Sequence, residues 1–187
     1  MLSKIENSIP LYHIELVRDK SITYNKYNVV EDAAQIFHQV LDRSPVEQFM
    51  VIYMDSRNIM VGAEKIAMGQ LDRVHVSMRD MFRGAISASV PRLILGHNHP
   101  NCDPTPSPED MNLTLLAVEA GYILGIEIWD HIIVSPDNTH TSIFDSSKKA
   151  YEEKLLGAYP ELYKLSNVNT TIPFSPINGF KPLKSLL

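Results

Sequence analysis

Hydrophobic positions along the chain follow first a helical period and then a strand-like one. Between Glu31 and Arg43 the apolar residues recur at three- and four-residue intervals, with Glu31 and Asp32 suited to the first turn. This pattern predicts an amphipathic helix. Residues 47–54 form a nearly continuous apolar run, as expected of a strand buried on both faces. The polar residues 55–58 then predict a turn.

The segment after this turn keeps a strand-like composition but contains two glycines. Strands are predicted over residues 59–64 and roughly 65–75, interrupted by Gly62 and Gly69. Glu64 is therefore expected to lie on or beside the sheet.

Two serines predict the starts of further helices. Ser77 can cap a helix that runs to about Ser87, and Ser107 followed by Pro108 predicts a helix that runs to Gly121. The residues of this second helix predicted to face inward are Leu113, Leu116, Ala117 and Ala120.

Short apolar segments complete the pattern. Residues 92–96 and 126–134 predict buried strands, and residues 139–144 are expected to pair with the second of these across a turn. Strands that alternate with helices indicate an α/β fold with an open sheet flanked by helices. In such folds, sites gather at the carboxyl ends of the strands.

The two ends of the chain are less regular. Residues 11–30 favour one or two edge strands or an ordered arm, residues 148–156 favour a charged helix, and residues 166–187 show no clear period. The interpretation is an N-terminal part over 1–45 that packs on the domain, a core over 46–146, and a C-terminal helix and tail over 147–187.

Composition narrows the functional classes. Of the 187 residues, 44% are hydrophobic and 21% are charged, values typical of a folded domain. The net charge of -5 and the lack of a Lys/Arg cluster do not support a nucleic-acid surface. The single cysteine, Cys102, excludes an internal disulfide and suits a reducing compartment. With neither a secretory signal nor a membrane-length apolar run, we expect a cytoplasmic protein without a membrane partner.

The stretch from His97 to Asp110 carries the chemistry. Its pattern is H-x-H-x7-S-x2-D, and histidines one residue apart point to the same side of an extended strand. Asp110 follows at the start of the helix that Ser107 caps. Two imidazoles and one carboxylate, with the fourth position left for water, are the ligands of a catalytic zinc site. We therefore expect about one zinc ion per chain, held by His97, His99 and Asp110.

Hydrolysis at such a site also needs a general base that is not a metal ligand. The prediction is Glu64, a carboxylate in an otherwise apolar strand region, whereas Glu47 and Glu109 lie at element ends, where solvated or capping roles suffice. Two roles are open to Ser107: its hydroxyl can cap the helix or donate to a developing oxyanion.

Two other residues near this stretch have more modest roles. His131 lies in a buried-looking run beside Asp130, and a structural role, or one in orienting a metal ligand, is favoured over direct ligation. Cys102 is interpreted as a loop residue, because a fourth protein ligand would close the site to water.

These residues are similar to the JAMM (MPN+/JAB) metalloprotease motif, and more closely to its RadC-like branch. The resemblance covers roughly residues 47–145 and includes Leu95 to Pro100, Asp103 to Ser107 and Asp130 to Val134. It implies a mixed β-sheet flanked by helices, a three-layer fold related to that of cytidine deaminases. It also implies zinc on His97, His99 and Asp110, Glu64 as acid/base and Ser107 as oxyanion stabiliser. Asn101-Cys102 stands where that branch usually has Ser-Gly, a change that removes no ligand.

Two functions follow as hypotheses. The first is a zinc-dependent metallopeptidase that hydrolyses a peptide or isopeptide bond in a peptide or protein substrate. The second is a non-catalytic accessory or binding module, associated with DNA repair or mobile elements, in which the metal site is structural or vestigial. A nucleobase deaminase is excluded, because its P-C-x-x-C element needs two cysteines.

Overall fold

The structure is a computed structural model that describes residues 21–23, 29–41, 44–68 and 76–144. Its elements are α1 (Val29–Leu41), β1 (Gln48–Met54), β2 (Met60–Met68), α2 (Met78–Ala88), β3 (Arg92–Asn98), α3 (Pro108–Leu124), β4 (Glu127–Val134) and β5 (His140–Ser142). The strands form one sheet in the order β2-β1-β3-β4-β5. β3 and β4 are parallel and the other neighbours are antiparallel, so the predicted mixed sheet is confirmed.

Helices cover both faces of this sheet. Residues of β1 alternate between the faces: Met50, Ile52 and Met54 pack with α1, whereas Phe49, Val51 and Tyr53 pack with α2 and α3. All of β1 is buried, as its apolar run predicts. The resulting order of layers is α1, sheet, then α2 with α3.

A glycine allows α1 to pack closely on the sheet. A Cβ at Gly96 in β3 would lie 2.4 Å from Cζ of Phe37, so the phenyl ring rests on the strand where a side chain would otherwise stand. Phe37 has no exposed surface. This contact lies one residue before His97.

Three details differ from the predictions. Residues 59–68 do not form two strands, because β2 runs without interruption through Gly62 and Lys65. The helix begun at Ser107 continues past Gly121 to Leu124, and Gly125 ends it in the left-handed conformation with φ of 69°. Leu116 does not face inward: it is 47% exposed. The apolar residues of α3 extend around the helix, so their spacing alone could not identify the buried face.

The other helix predictions are confirmed within small shifts of boundary. Ser77 caps α2, accepting a hydrogen bond from the backbone N–H of Asp80, and α1 covers Val29–Leu41. Of residues 11–30, predicted to form edge strands or an ordered arm, only 21–23 and 29–30 are described: 21–23 form no strand, and Val29 and Val30 begin α1. The helix predicted over 148–156 and the tail over 166–187 lie outside the described residues. Across the ranges that are described, no helix has the length and apolar character needed to cross a membrane.

Candidate metal centre

The two histidines of the H-x-H pattern lie at the carboxyl end of β3. His97 is the second-last residue of the strand, and the backbone N–H of His99 donates to the carbonyl of Val134 over 2.9 Å, which continues the alignment with β4. Both side chains are buried, at 4% and 9% exposure. The imidazole of His97 stacks on the ring of Phe49, with 13° between the planes. The sheet therefore holds both rings on the face that carries α2 and α3.

Asp110 approaches the histidines from the first turn of α3. Ser107 caps this helix: its hydroxyl oxygen accepts from the N–H of Asp110 over 3.1 Å. The carboxylate of Asp110 bonds back, with Oδ2 accepting from the Ser107 N–H at 2.8 Å and from its hydroxyl at 2.6 Å. The predicted capping role of Ser107 is thus present as a reciprocal capping box. It fixes the direction in which Asp110 points.

The three predicted ligands converge on one point. Nε2 of His97 and Nε2 of His99 are 3.0 Å apart. Oδ1 of Asp110 is 3.1 Å from the former nitrogen, and Oδ2 is 3.4 Å from the latter. A tetrahedral zinc ion with bonds of about 2.0–2.1 Å separates its ligands by about 3.3 Å. The donors and their separations therefore fit zinc, and no other His, Cys, Asp or Glu of the described ranges joins the cluster.

Contacts around His99 direct Nε2 of its ring toward this point. Its Nδ1 lies 2.8 Å from the carbonyl oxygen of Asp103, which can only accept, so Nδ1 carries the proton and Nε2 has its lone pair available. Burial opposes the charged form of His99, but the nearby carboxylate of Asp110, the bond to the Asp103 carbonyl and the charge of Glu47 raise its pKa overall. The proline-rich loop that supplies Asp103 thereby orients a ligand.

Asp110 is ionised in these surroundings. Burial works against its charge, but the close imidazoles of His97 and His99 and the hydrogen bond from Ser107 hold the pKa of this carboxyl far below its usual range. A permanent carboxylate beside two imidazoles is the ligand set that divalent zinc prefers.

Behind His97 lies a second buried pair of polar side chains. Nδ1 of His97 is 2.8 Å from Nε2 of His131, and Nδ1 of His131 is 2.6 Å from the hydroxyl of Thr114. His131 and Thr114 are both 0% exposed. Burial, followed by the neighbouring His97, lowers the pKa of His131 well below its ordinary value. His131 thus contacts a ligand and lies outside the three-ligand cluster.

A β-bulge decides which way His131 points. Ile128 pairs with Leu93, but Ile94 pairs with Asp130, so β4 contains one extra residue at Trp129. The bulge shifts the alternation by one, which turns His131 toward the face that carries His97. Trp129 packs on the opposite face, beside α1.

Glu64, the predicted general base, does not belong to the cluster. Its Oε2 accepts a short hydrogen bond from the hydroxyl of Tyr53, and its Oε1 is 3.3 Å from Nη2 of Arg83 on α2. Through Val51 and Leu95 the register places Glu64 two strands and two residues away from His97. Strand spacing makes that about 12 Å between Cα atoms. Its carboxylate contacts Arg83 of α2. Burial, together with the hydrogen bond to Glu64, raises the pKa of Tyr53.

Glu47 is the carboxylate that the fold brings beside the ligands. In the antiparallel pairing of β1 with β3, Phe49 lies opposite His97, and the same register continued by two residues sets Glu47 opposite His99. The side chain of Asn98 binds the backbone on both sides of Glu47: it accepts from the N–H of Gln48 at 2.8 Å and donates to the carbonyl of Val46 at 3.2 Å. Glu47 is partly buried. Its place at an element end did not indicate this proximity to His99, because the pairing of these strands has no local signal in the sequence.

Cys102 and the other described histidines, His38 and His140, lie apart from the cluster. Cys102 is exposed in the loop, with φ of 60°, and is not among the grouped ligands. Its interpretation as a loop residue agrees with this position. His38 and His140 lie close together elsewhere, with 6.1 Å between ring centroids. His13 and His75 fall outside the described residues.

The fold and the site together define an α/β domain with a cluster of two histidines and one aspartate that could hold a metal ion. A family model described as RadC-like JAB domain matches residues 27–149, more than half of the 187 residues. The chain therefore belongs to the RadC-like JAB domain family, and the resemblance found in its motifs is confirmed.

Its curated relatives carry the name UPF0758 protein. The one from Desulforudis audaxviator is 40% identical over 113 residues, which cover 60% of this chain and 49% of that protein. The one from Desulforamulus reducens is 44% identical over 103 residues, covering 55% and 44%. The one from Moorella thermoacetica is 41% identical over 103 residues, covering 55% and 43%. The chain thus spans about half the length of the relatives it matches.

Proposed function

We propose that this chain is a zinc-dependent hydrolase that cleaves peptide or isopeptide bonds. The observation that carries the proposal is the convergence of two Nε2 atoms and one carboxylate within 3.0 to 3.4 Å of one another. Three protein ligands leave a coordination position for water or substrate, as in catalytic zinc sites. Family membership agrees with a hydrolytic role, and the name of the relatives specifies no reaction.

Each ligand has a separate support. His99 is oriented by the Asp103 carbonyl, His97 by His131, and Asp110 by the capping box with Ser107. When bound there, zinc makes water more acidic and polarises the carbonyl under attack.

Glu47 is the general base of the proposed reaction. It lies across from His99 in the strand register, and Asn98 holds the residues on both sides of it. Its carboxylate takes a proton from the attacking water and returns it to the leaving amine, so that an acid and an amine are released. Glu64 has two partners on the far side of β1, which makes it the less suitable base.

Ser107 contributes first by holding Asp110. Its hydroxyl donates a hydrogen bond to Oδ2 of Asp110 over 2.6 Å, and Oδ1 lies 3.1 Å from Nε2 of His97. Stabilising an oxyanion, the role implied by the resemblance, needs this hydroxyl to turn toward the substrate. The contacts of Ser107 in the structure favour the supporting role.

The test compares two conservative variants, Glu47→Gln and Glu64→Gln. The purified 187-residue chain is reconstituted with zinc, and cleavage of a mixed library of peptides and lysine-linked isopeptides is followed by mass spectrometry. We expect about one zinc per chain in all three proteins. Cleavage should fall by at least about a hundredfold in Glu47→Gln, because general base catalysis contributes that much, and should stay near the original rate in Glu64→Gln.

The two variants act as controls for each other, since each removes one negative charge from a strand region. A rate that falls only in Glu64→Gln would return the base to that residue and refute Glu47. A protein that takes up no zinc, or that binds zinc and cleaves none of the library, would refute the hydrolase proposal. The accessory-module hypothesis would then gain only if salt-dependent DNA binding survived replacement of His97 and His99.

A further inference from the structure

The hydrogen bonds behind the metal centre have a definite direction, which starts at Thr114. Its hydroxyl is 2.6 Å from the backbone carbonyl of Asp110, one helical turn earlier. A carbonyl oxygen can only accept, so the hydroxyl proton of Thr114 points to it. The oxygen of Thr114 is then left as an acceptor for any other neighbour.

That neighbour is His131. Its Nδ1 lies 2.6 Å from the Thr114 hydroxyl, and since the proton of that hydroxyl is committed, Nδ1 of His131 must donate. A neutral imidazole has one donor and one acceptor nitrogen, so with Nδ1 of the fully buried His131 donating, its Nε2 accepts. His131 therefore presents an unprotonated Nε2 toward His97.

The same donor-to-acceptor reasoning assigns the ring proton of His97, one of the proposed ligands. Nδ1 of His97 is 2.8 Å from this acceptor, so it carries the ring proton and leaves the lone pair on Nε2. Nε2 of His97 faces Nε2 of His99 at 3.0 Å, and His99 is likewise protonated on Nδ1. With both ring protons on Nδ1, the two Nε2 lone pairs and the Asp110 carboxylate face one point, which suits a bound cation.

This series of contacts forms a closed loop that includes two of the proposed ligands, His97 and Asp110. They run from His97 through His131 and Thr114 to the carbonyl of Asp110, and the carboxylate of Asp110 returns to within 3.1 Å of His97. Two ligands on different elements, β3 and α3, are thereby joined by one buried circuit. A substitution of Thr114 should therefore change zinc affinity, although Thr114 contacts no side chain of a proposed ligand directly.

We infer that Thr114 and His131 are positioning residues that set the tautomer of His97, so that its Nε2 lone pair is presented to the metal. The inference rests on the proposed metal centre but requires no peptidase activity. It assigns to Thr114, a residue without a metal-binding group, a role in zinc affinity through hydrogen-bond direction.

The test uses the whole 187-residue chain and zinc alone. In the metal-free protein, ¹⁵N NMR of the histidine rings distinguishes a protonated nitrogen from one with a lone pair, and we expect the proton of His97 on Nδ1. Thr114→Val keeps the shape but removes the hydroxyl, and it should weaken zinc binding at least about tenfold, as loss of supporting partners does. Thr114→Ser restores the hydroxyl and should bind zinc nearly as the original chain does.

A packing role alone would not give this pattern, because valine fills the site at least as well as serine. The inference is overturned if the metal-free protein carries the His97 proton on Nε2, or if folded Thr114→Val binds zinc as tightly as Thr114→Ser. Should Thr114→Val fail to fold, the ring signals of the original chain still decide. Zinc binding that depends on the hydroxyl, in a protein that cleaves no peptide, would keep this inference and refute the hydrolase proposal.

Discussion

The contact between Phe37 and Gly96 gives a sharp test of how the fold holds the metal centre. A methyl group at residue 96 would lie 2.4 Å from Cζ of Phe37 and 2.5 Å from both Cε atoms. Carbon atoms in contact are normally separated by about 3.5–4.0 Å, so the strand or the ring must move by about 1 Å. Gly96→Ala therefore forces β3 away from α1, directly beside His97.

The expected cost follows from this overlap. Phe37 is 0% exposed, so its ring has no open space to enter. Overpacking of this kind costs about 1–3 kcal/mol. In a domain of this size each kcal/mol lowers the melting temperature by about 2–4 °C, so a fall of about 2–12 °C is expected. Zinc affinity should fall as well, because the displaced strand carries a ligand.

The assay is a double-mutant cycle read by thermal or urea unfolding and by zinc titration. Phe37→Leu removes the three ring atoms that clash, so Gly96→Ala should be less destabilising in that background, with a coupling of about 0.5–3 kcal/mol. Gly62→Ala is the matched control in an exposed strand, where the nearest atom to the new Cβ is 3.2 Å away. It should change stability much less.

Equal costs of Gly96→Ala in both backgrounds would refute this reasoning, because the ring would then not limit the residue at 96. An unchanged melting temperature in the single variant would do the same. Loss of stability with zinc affinity unaltered would show that the overlap is relieved by α1 and not by β3.

Two further predictions concern the site itself. Asp110→Asn keeps an oxygen for the Ser107 N–H but loses the negative charge, so zinc affinity should fall by two orders of magnitude or more in a competition titration with a coloured chelator; unchanged affinity would remove Asp110 from the ligands. Asn98→Ala leaves the N–H of Gln48 without its partner, 2.8 Å away in the structure, and should cost about 1–3 kcal/mol in urea unfolding. It should also lower the cleavage rate more than zinc affinity, since it frees Glu47 and spares the ligands, and a rate equal to that of the original chain would contradict this.

Much of the fold follows from local patterns in the sequence. The continuous apolar run predicts β1 because a strand buried on both faces has no polar positions. Ser77 and Ser107 predict the starts of α2 and α3 because a serine hydroxyl satisfies the free N–H groups of a first turn. Leu116 shows the limit, since an apolar residue in a helix with leucines on several sides has no unique inward direction.

The sequence by itself determined the three proposed ligands. Two histidines at alternate positions of a strand end share a side, and an aspartate three residues after a capping serine lies in the first helical turn, so short-range geometry brings each one to an element end. The tertiary structure alone decided what surrounds them. Antiparallel pairing of β1 with β3 puts Glu47 opposite His99, whereas the pairing of β1 with β2 sets Glu64 near α2, where it contacts Arg83. One extra residue in β4 turns His131 toward His97. Strand register and bulges depend on contacts between residues far apart in the chain, and for that reason the spacing within each segment could not reveal them.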